Sequence, residues 1–236
     1  MSPPTNQELN DKREEHCFAI TPERASTIES ATPWSSAACG RPSGSSTTAT
    51  CTCQCLISSV SSTKVECLRF LRANTNLPLP KLHACFEDDG AAYLITEYVD
   101  GVGMNELSAP EREIVAEELN VHMQTLRQLK PSTWGGPGGK VLPPWRRLEK
   151  SNRRPWRLRD FEENDLVFCH NDLSAYNVIL DPNTLEIRAI IDWEYGGFYP
   201  PQFEQKFFKR VGPSAAVDGE VDDTEQLTQL LAKYKM

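Results

Sequence analysis

Residues 168–181 read FCHNDLSAYNVILD, and residues 186–194 read EIRAIIDWE. Residues 178–180 and 187–191 are apolar and rich in β-branched side chains, and a Pro-Asn-Thr sequence lies between them. β-Branched residues favour strands, whereas Pro and Asn favour turns. The two runs are therefore predicted to pair as an antiparallel hairpin.

Polar residues stand at the open end of this hairpin. Asn177 immediately precedes the first strand, Asp192 immediately follows the second, and Asp172 lies in the loop that enters the same end. Pairing of the strands predicts that these three side chains meet in one oxygen-rich site. Such a site suits Mg²⁺, which prefers oxygen ligands and keeps water or phosphate at its remaining positions, better than Zn²⁺, which favours His and Cys. Phosphoryl transfer requires little more than this positioning, a metal and a carboxylate near the acceptor.

The spacing His170-x-Asp172-x4-Asn177, followed by the IDWE sequence of residues 191–194, resembles a known pair of motifs. It is similar to the catalytic loop and metal-binding motif of the aminoglycoside phosphotransferase family, within the protein-kinase-like superfamily. The resemblance implies that Asp172 is the catalytic base, that His170 braces the loop, and that Asn177 and Asp192 hold magnesium.

Three further segments extend the resemblance over about residues 64–234. Glu66 resembles the family's αC glutamate, and the TEYVDG sequence of residues 96–101, with Glu97 and Val99, resembles its cofactor-binding hinge. The GFYPPQFE sequence of residues 197–204 resembles a segment of fungal members. The resemblance implies an α+β, protein-kinase-like two-lobe fold with an incomplete N-terminal lobe to about residue 98 and a mostly helical C-terminal lobe. It also implies ATP and Mg²⁺ as cofactors and a small-molecule hydroxyl as the acceptor.

Two parts of the family pattern are not visible in this sequence. The family places a phosphate loop and a strand lysine ahead of the αC glutamate. The only lysines before Glu66 are Lys12, which is remote, and Lys64, which lies beside Glu66 on the same element. Two hypotheses therefore stay open: an ATP- and Mg²⁺-dependent phosphotransferase, or a catalytically inactive kinase-like binding protein or truncated product.

Residues 1–63 differ in composition from the kinase-like domain predicted for residues 64–236. Ser and Thr make up more than half of residues 42–63, without a period of 2 or 3.6 residues, which predicts a disordered or aberrant segment. Cys51, Cys53 and Cys55 lack the spacing of common zinc motifs, so metal binding there is disfavoured.

The remaining pattern predicts a small number of elements. We expect helices over 65–71 and 110–129 and from about residue 222, and a hairpin of residues 81–87 and 91–98 closed by Asp88-Asp89-Gly90. Residues 130–164 are predicted to form an exposed loop. Its basic cluster is interpreted as a solvated face rather than a phosphate site, and comprises Arg146, Arg147, Lys150, Arg153, Arg154, Arg157 and Arg159.

Composition excludes some classes of function. The net charge is −8, from 33 acidic and 25 basic residues, which argues against binding to nucleic acid through its phosphates. No apolar run approaches the ~20 residues of a membrane helix. The N-terminus lacks the basic and apolar regions of a signal peptide, so a cytoplasmic site with reduced cysteines is expected. The sequence does not predict the oligomeric state.

Overall fold

The computed structural model describes residues 26–29, 49–55, 58–88, 91–131, 133–148, 166–217 and 219–233. The chain forms two compact units, one of residues 1–61 with 80–98 and the other of residues 62–79 with 99–236. The boundary near residue 98 falls where the sequence analysis places the end of the small lobe, whereas residues 62–79 belong to the larger unit. Within the described ranges, no helix combines the length and apolar character needed to cross a membrane.

The smaller unit contains a four-stranded antiparallel sheet in the order β1-β2-β4-β3. Its strands are β1 (Ser26–Glu29), β2 (Ala49–Cys55), β3 (Leu82–Asp88) and β4 (Ala91–Glu97). Strands β3 and β4 form the predicted hairpin, with Phe86 opposite Tyr93. Residues 89 and 90 of its turn lie outside the described residues.

Regular elements occur in the described part of the segment before residue 64, while the prediction of a disordered or aberrant segment concerns mostly residues outside the described ranges. Strands β1 and β2 lie within it, and helix α1 (Ser58–Asn74) begins before the predicted Val65. The physical reason is visible in β2, where Cys alternates with Thr or Gln from Thr50 to Cys55. Cys behaves as a small hydrophobic residue and Thr is β-branched, so this alternation has the two-residue period of a strand.

Helix α1 contributes the first apolar face of the larger unit. Val65, Cys67, Leu68 and Leu71 are buried, as their helical spacing predicts. At the C-terminus, the Thr75 amide donates a hydrogen bond to the Leu71 carbonyl oxygen (2.8 Å). Such bonds satisfy carbonyl groups that have no partner within the helix.

Helix α2 (Ala109–Arg127) is the predicted amphipathic helix. The backbone amide of Ser108, which precedes it, donates to Glu111 Oε2 (2.9 Å), and Pro110 occupies the first turn. Both features are typical of helix N-termini. The buried stripe of α2 consists of Val115, Ala116, Leu119, Met123 and Leu126.

The described part of the larger unit also contains two small antiparallel sheets and two further α-helices. The first sheet has the order β5-β7-β8, with β5 (Val102–Gly103), β7 (Val178–Leu180) and β8 (Ile187–Ile190). In the second, β6 (Val167–Cys169) pairs with β9 (Gly197–Tyr199). Helix α3 (Trp145–Leu148) lies between α2 and β6 in the chain, and helix α4 (Thr224–Lys233) follows β9. The hairpin β7–β8 is the predicted one, whereas β5, β6 and β9 are too short to be recognised from sequence periodicity.

The loop after α2 is packed rather than exposed over Trp134, Gly135 and Gly136, which are buried. Gly135 exchanges backbone hydrogen bonds with Phe198 of β9, with N···O distances of 3.0 and 2.7 Å. Its φ of +73° is left-handed, and a Cβ there would lie 2.3 Å from the Lys140 carbonyl oxygen. Only glycine fits this position, so the sequence WGG reflects close packing. Residues 149–165 of the same insertion, with most of its basic cluster, lie outside the described residues.

An aromatic cluster joins these elements beneath the open end of β7–β8. The Phe168 ring stacks on Phe70 of α1 (5.6 Å between centroids) and meets Phe198 of β9 edge-on (5.1 Å). Trp193, which directly follows Asp192, lies 6.3 Å from Phe168. Aromatic pairs at these distances stabilise the core, so helix α1 is packed against the strands that hold the polar loop.

Candidate functional site

The loop between β6 and β7 is held in shape by its own hydrogen bonds. The Ser174 amide donates to the Asp172 carbonyl oxygen (3.0 Å), and the Asn177 amide donates to the Ser174 carbonyl oxygen (3.1 Å). The Asn177 side-chain Nδ2 also donates to the Asp172 carbonyl oxygen (2.7 Å). Since the side-chain nitrogen of Asn177 donates within the loop, its side-chain amide oxygen is the atom that would bind a ligand.

The hairpin brings Asp192 to the same end. The Ile191 amide donates to the Asn177 carbonyl oxygen (3.0 Å), which extends the β7–β8 pairing by one residue beyond Ile190. Asp192 follows with a left-handed backbone, φ 68° and ψ 48°. This conformation is uncommon for residues other than glycine, although Asp tolerates it better than most. The sharp turn ends the strand and places the Asp192 side chain at the open end.

His170 connects the loop to the end of β8. It is fully buried, its Nε2 lies 2.8 Å from the Ile191 carbonyl oxygen, and its Nδ1 lies 3.2 Å from the Asp172 amide nitrogen. The carbonyl can only accept and the amide can only donate, so the neutral ring carries its proton on Nε2. Burial lowers the pKa of His170 to about 4, which keeps the ring neutral at physiological pH. His170 thus contacts the backbone of both Asp172 and Ile191, and its bracing role stays a prediction.

Carboxyl groups and one ammonium group lie next to this loop and the end of β8. Lys64 Nζ lies 2.6 Å from Asp192 Oδ1, with the lysine side chain 18% exposed. Burial and the Asp192 carboxylate raise the pKa of Glu194 to about 7. Burial also raises the pKa of Asp172 to about 6, which Asp192 reinforces and Ser214 and Arg146 oppose. Sequence reasoning identified Asp172 and Asp192 but missed the contribution of Lys64 and Glu194.

The carboxyl group of Glu204 stabilises the backbone at the start of this loop. The backbone amides of His170 and Asn171 both donate to Glu204 Oε2, the second of them at 3.4 Å. Burial raises the pKa of Glu204 to about 7, against these two hydrogen bonds and the positive charges of Arg146 and Arg127. Glu204 lies in the segment that resembles fungal family members, but this contact is not predicted by any pattern in the sequence.

The raised pKa of Glu204 predicts a pH-dependent effect of Glu204→Gln on stability. Between the ordinary pKa of 4.5 and about 7, only the folded state holds the proton. The stabilising effect of that proton is present at low pH and is lost as the pH rises through this window. Glutamine stays neutral throughout, so its stability relative to the wild type is expected to rise by about 2–3 kcal/mol between pH 5 and pH 8.

Urea unfolding of both proteins at each pH measures this difference. Glu225→Gln on the exposed face of α4 is the matched control for the loss of one carboxyl group. A difference between Glu204→Gln and wild type that stays constant from pH 5 to pH 8 would show that Glu204 does not hold a proton in the folded protein.

Arg146 corrects the interpretation of the basic cluster as a solvated face. Its side chain is 3% exposed, and it forms an ion pair with Asp223 through Nη2 (2.9 Å) and Nε (3.0 Å). It also donates to the carbonyl oxygens of Asn171 (3.1 Å) and Phe203 (2.9 Å). One guanidinium therefore ties α3 to the polar loop, to the segment after β9 and to the start of α4. Arg147 is buried as well.

Replacing Arg146 by methionine is expected to lower the free energy of unfolding by about 3–5 kcal/mol, because Asp223 would remain buried without its partner. Thermal or urea unfolding followed by circular dichroism measures the loss. Arg188→Met is the matched control, because the pair of Arg188 with Asp181 is more exposed and its removal should cost less than about 1 kcal/mol. Equal losses in the two variants would contradict the structural importance of the buried pair.

The other predicted cofactor residues each have contacts of their own. Glu66 lies against the glycine-rich loop, where a Cβ on Gly138 would be 2.2 Å from its Oε2. Glu97, in the smaller unit, accepts a hydrogen bond from the Lys81 amide (3.0 Å) at the end of β4. Val99 is half-buried and follows that strand. Their roles in binding a cofactor stay predictions.

The chemistry of the site fits magnesium held by few protein ligands. Among the described residues, no three His, Cys, Asp or Glu side chains are arranged as a metal cage. Magnesium typically takes one or two protein carboxylates and fills its other positions with water and phosphate. The Asp192 carboxylate already faces a cation, the Lys64 ammonium, and the Asn177 amide oxygen is available at the same end of the hairpin. Asp192 and Asn177 would hold such an ion.

Part of the chain matches a family of known proteins. Residues 64–205 match the phosphotransferase enzyme family. Over 149 residues the chain is 29% identical to the aminoglycoside 3'-phosphotransferase of Streptomyces fradiae, a match covering 49% of this chain and 52% of that protein. The chain thus spans about half the length of this curated relative.

Two crystal structures show the same fold at low sequence identity. One is an aminoglycoside-3'-phosphotransferase of type VIII, with a TM-score of 0.52, 19% identity and coverage of 84% of this chain and 79% of that one. The other is a thermostable mutant of the aminoglycoside phosphotransferase APH(4)-Ia in its apo form, with a TM-score of 0.55, 15% identity and coverage of 84% and 74%. The expected kinase-like α+β fold is confirmed.

Proposed function

This chain belongs to the phosphotransferase enzyme family, and from that membership we propose that it transfers a phosphoryl group from ATP to a hydroxyl group of a small molecule. The observation that carries the proposal is the convergence of Asp172, Asn177 and Asp192 at the open end of one hairpin. Asn177 holds the Asp172 backbone, and the Ile191 amide holds the Asn177 backbone. These bonds hold the backbone segments that carry the three side chains next to one another.

Asp172 is the proposed catalytic base. Its carboxyl group is mostly buried beside Asp192, and the Ser214 hydroxyl lies close to it, although too loosely placed for a good hydrogen bond. An acceptor hydroxyl that binds Asp172 would donate its proton to this carboxylate as the phosphoryl group arrives. His170 and Glu204 act as positioning residues, since they hold the backbone on either side of Asp172 without contacting the acceptor.

Asn177 and Asp192 are the proposed ligands of magnesium. When bound, the ion would neutralise part of the phosphate charge, which is its general contribution to phosphoryl transfer. By resemblance, Glu66, Glu97 and Val99 are proposed to contribute to nucleotide binding. Phosphoryl transfer depends mainly on positioning and electrostatics, and the rigid hydrogen bonding of this loop supports both.

The site also favours a positively charged acceptor. Three carboxyl groups, those of Asp172, Asp192 and Glu194, lie together with one ammonium group, and the whole chain carries a net charge of −8. A polyamine sugar would be attracted by such a field. The curated relative is named as an aminoglycoside phosphotransferase, so we propose aminoglycosides as the first acceptors to test.

Thermal unfolding of the full chain with nucleotide tests the proposal at the binding step. ATP with Mg²⁺ is expected to raise the melting temperature, and more strongly than either alone, because a ligand that binds only the folded state stabilises it. No stabilisation at millimolar Mg²⁺ and ATP would contradict the proposal. Stabilisation without phosphoryl transfer to any hydroxyl acceptor would instead support an inactive kinase-like binding protein.

A further inference from the structure

The chain lacks a recognisable strand lysine ahead of Glu66, but the structure shows a lysine in contact with the site. We propose that Lys64, on helix α1, is the residue that binds the phosphate groups of the nucleotide. The proposal rests on the proposed function of the site. The sequence analysis, by contrast, does not assign this role to Lys64, because Lys64 lies on the same element as Glu66.

The position of Lys64 is fixed by the packing of its helix. The neighbours Thr63 and Val65 are buried, and Cys67 Sγ, one turn further along α1, donates to the Gly196 carbonyl oxygen at 3.2 Å. Gly196 closes the turn that begins with Asp192 and Trp193. Helix α1 is therefore attached to the segment that carries Asp192. The hydrogen bond from Cys67 Sγ to the Gly196 carbonyl oxygen supports the nearby 2.6 Å contact between Lys64 and Asp192.

Acidic side chains surround the Lys64 ammonium group. The Asp192 carboxylate lies 2.6 Å from it, and Glu194 and Asp172 add negative charge nearby. A buried ammonium is stable only with anionic partners. If Asp192 binds a magnesium ion, Lys64 loses part of this pairing, and the nucleotide phosphates that accompany the ion are anions that can replace it.

A simpler role for Lys64 makes a different prediction. If Lys64 only neutralises Asp192, its removal would leave Asp192 free for Mg²⁺ and would not weaken the binding of phosphate groups. If Lys64 binds phosphate, its removal weakens ATP and ADP but not adenosine, which has no phosphate. The ratio of ATP affinity to adenosine affinity therefore separates the two roles. A general loss of folded protein would lower both affinities alike and leave this ratio unchanged.

The experiment is isothermal titration of the full chain with adenosine, ADP and ATP in saturating Mg²⁺. For Lys64→Met, the ATP-to-adenosine affinity ratio is expected to fall by roughly ten- to a hundredfold, the effect of losing one hydrogen bond between charged groups. Lys64→Arg keeps the charge and should retain most of the ratio. Lys209→Met is the matched control, because Lys209 also pairs with a carboxylate, that of Glu113, but on the exposed surface.

The outcomes for Lys64 and for the proposed function are distinguishable. If wild type binds ATP and Lys64→Met keeps the wild-type ratio, the inference about Lys64 is wrong while the proposed function stands. Tighter binding of Mg²⁺ alone by Lys64→Met, with that same unchanged ratio, would identify Lys64 as a counter-ion only. If wild type binds no ATP, both proposals fall. A reduced ratio in Lys64→Met, retained in Lys64→Arg and Lys209→Met, supports the inference.

Discussion

Asp172→Asn is expected to lower kcat by about a hundred- to ten-thousandfold, the range typical of losing a general base. Asparagine has nearly the same shape as aspartate but cannot take the proton of an acceptor hydroxyl at neutral pH. The loop should keep its form, because the substitution leaves in place the Asp172 backbone carbonyl, which accepts hydrogen bonds from the Ser174 amide and from Asn177 Nδ2. Steady-state kinetics with saturating ATP and acceptor measure the change.

Asp181→Asn is the matched control for this substitution. Asp181 lies at the closed end of the same hairpin, where its carboxylate accepts backbone hydrogen bonds from Asn183 and Thr184. Its replacement should leave kcat within about twofold of wild type, since surface substitutions have small effects. Undiminished turnover in Asp172→Asn would remove Asp172 from the role of base and leave it a structural residue of the loop.

Asp192→Asn is expected to lower turnover by at least about a thousandfold, because a metal ion contributes several kcal/mol to the transition state of phosphoryl transfer. The physical reason is that the neutral amide attracts a divalent ion less strongly than the carboxylate does. Turnover measured against Mg²⁺ concentration separates this effect from misfolding. The variant should require much more Mg²⁺ than wild type to reach half of its maximal rate.

The Asp192 carboxylate is also the partner of Lys64, so stability needs its own measurement. Glu186→Gln serves as the control for the loss of one acidic side chain, since Glu186 lies in the turn at the opposite end of the hairpin. The Mg²⁺ dependence of this control should match that of wild type. An unchanged Mg²⁺ dependence in Asp192→Asn would exclude Asp192 as a ligand of the ion.

The sequence predicted the parts of the fold whose signals are local. The strands of the β7–β8 hairpin are runs of β-branched residues separated by a Pro-Asn-Thr turn, and α2 has an apolar stripe at helical spacing. Both follow from short-range preferences. The position of Asn177 and Asp192 at the open end follows from the pairing itself. This is why the central geometry could be predicted without a structure.

The missed features depend on contacts between residues distant in the chain. Lys64 and Asp192 are separated by 128 positions, and Arg146 and Asp223 by 77. Charged residues are rarely buried without a partner, so a cluster of arginines in a loop indicates a solvated surface unless the partner is known. Glu204 was missed for the same reason, since its partners are backbone amides that carry no signal in the sequence.

The proposed phosphotransferase activity is tested most directly by measuring phosphoryl transfer in a single turnover. The full chain is mixed with ATP labelled in its γ-phosphate, Mg²⁺ and a panel of aminoglycosides, and the acceptors are analysed by mass spectrometry. We expect a labelled phosphate ester on an acceptor hydroxyl with wild type and almost none with Asp172→Asn. Bound Mg²⁺ and ATP with no labelled acceptor, or equal labelling by the two proteins, would contradict this expectation.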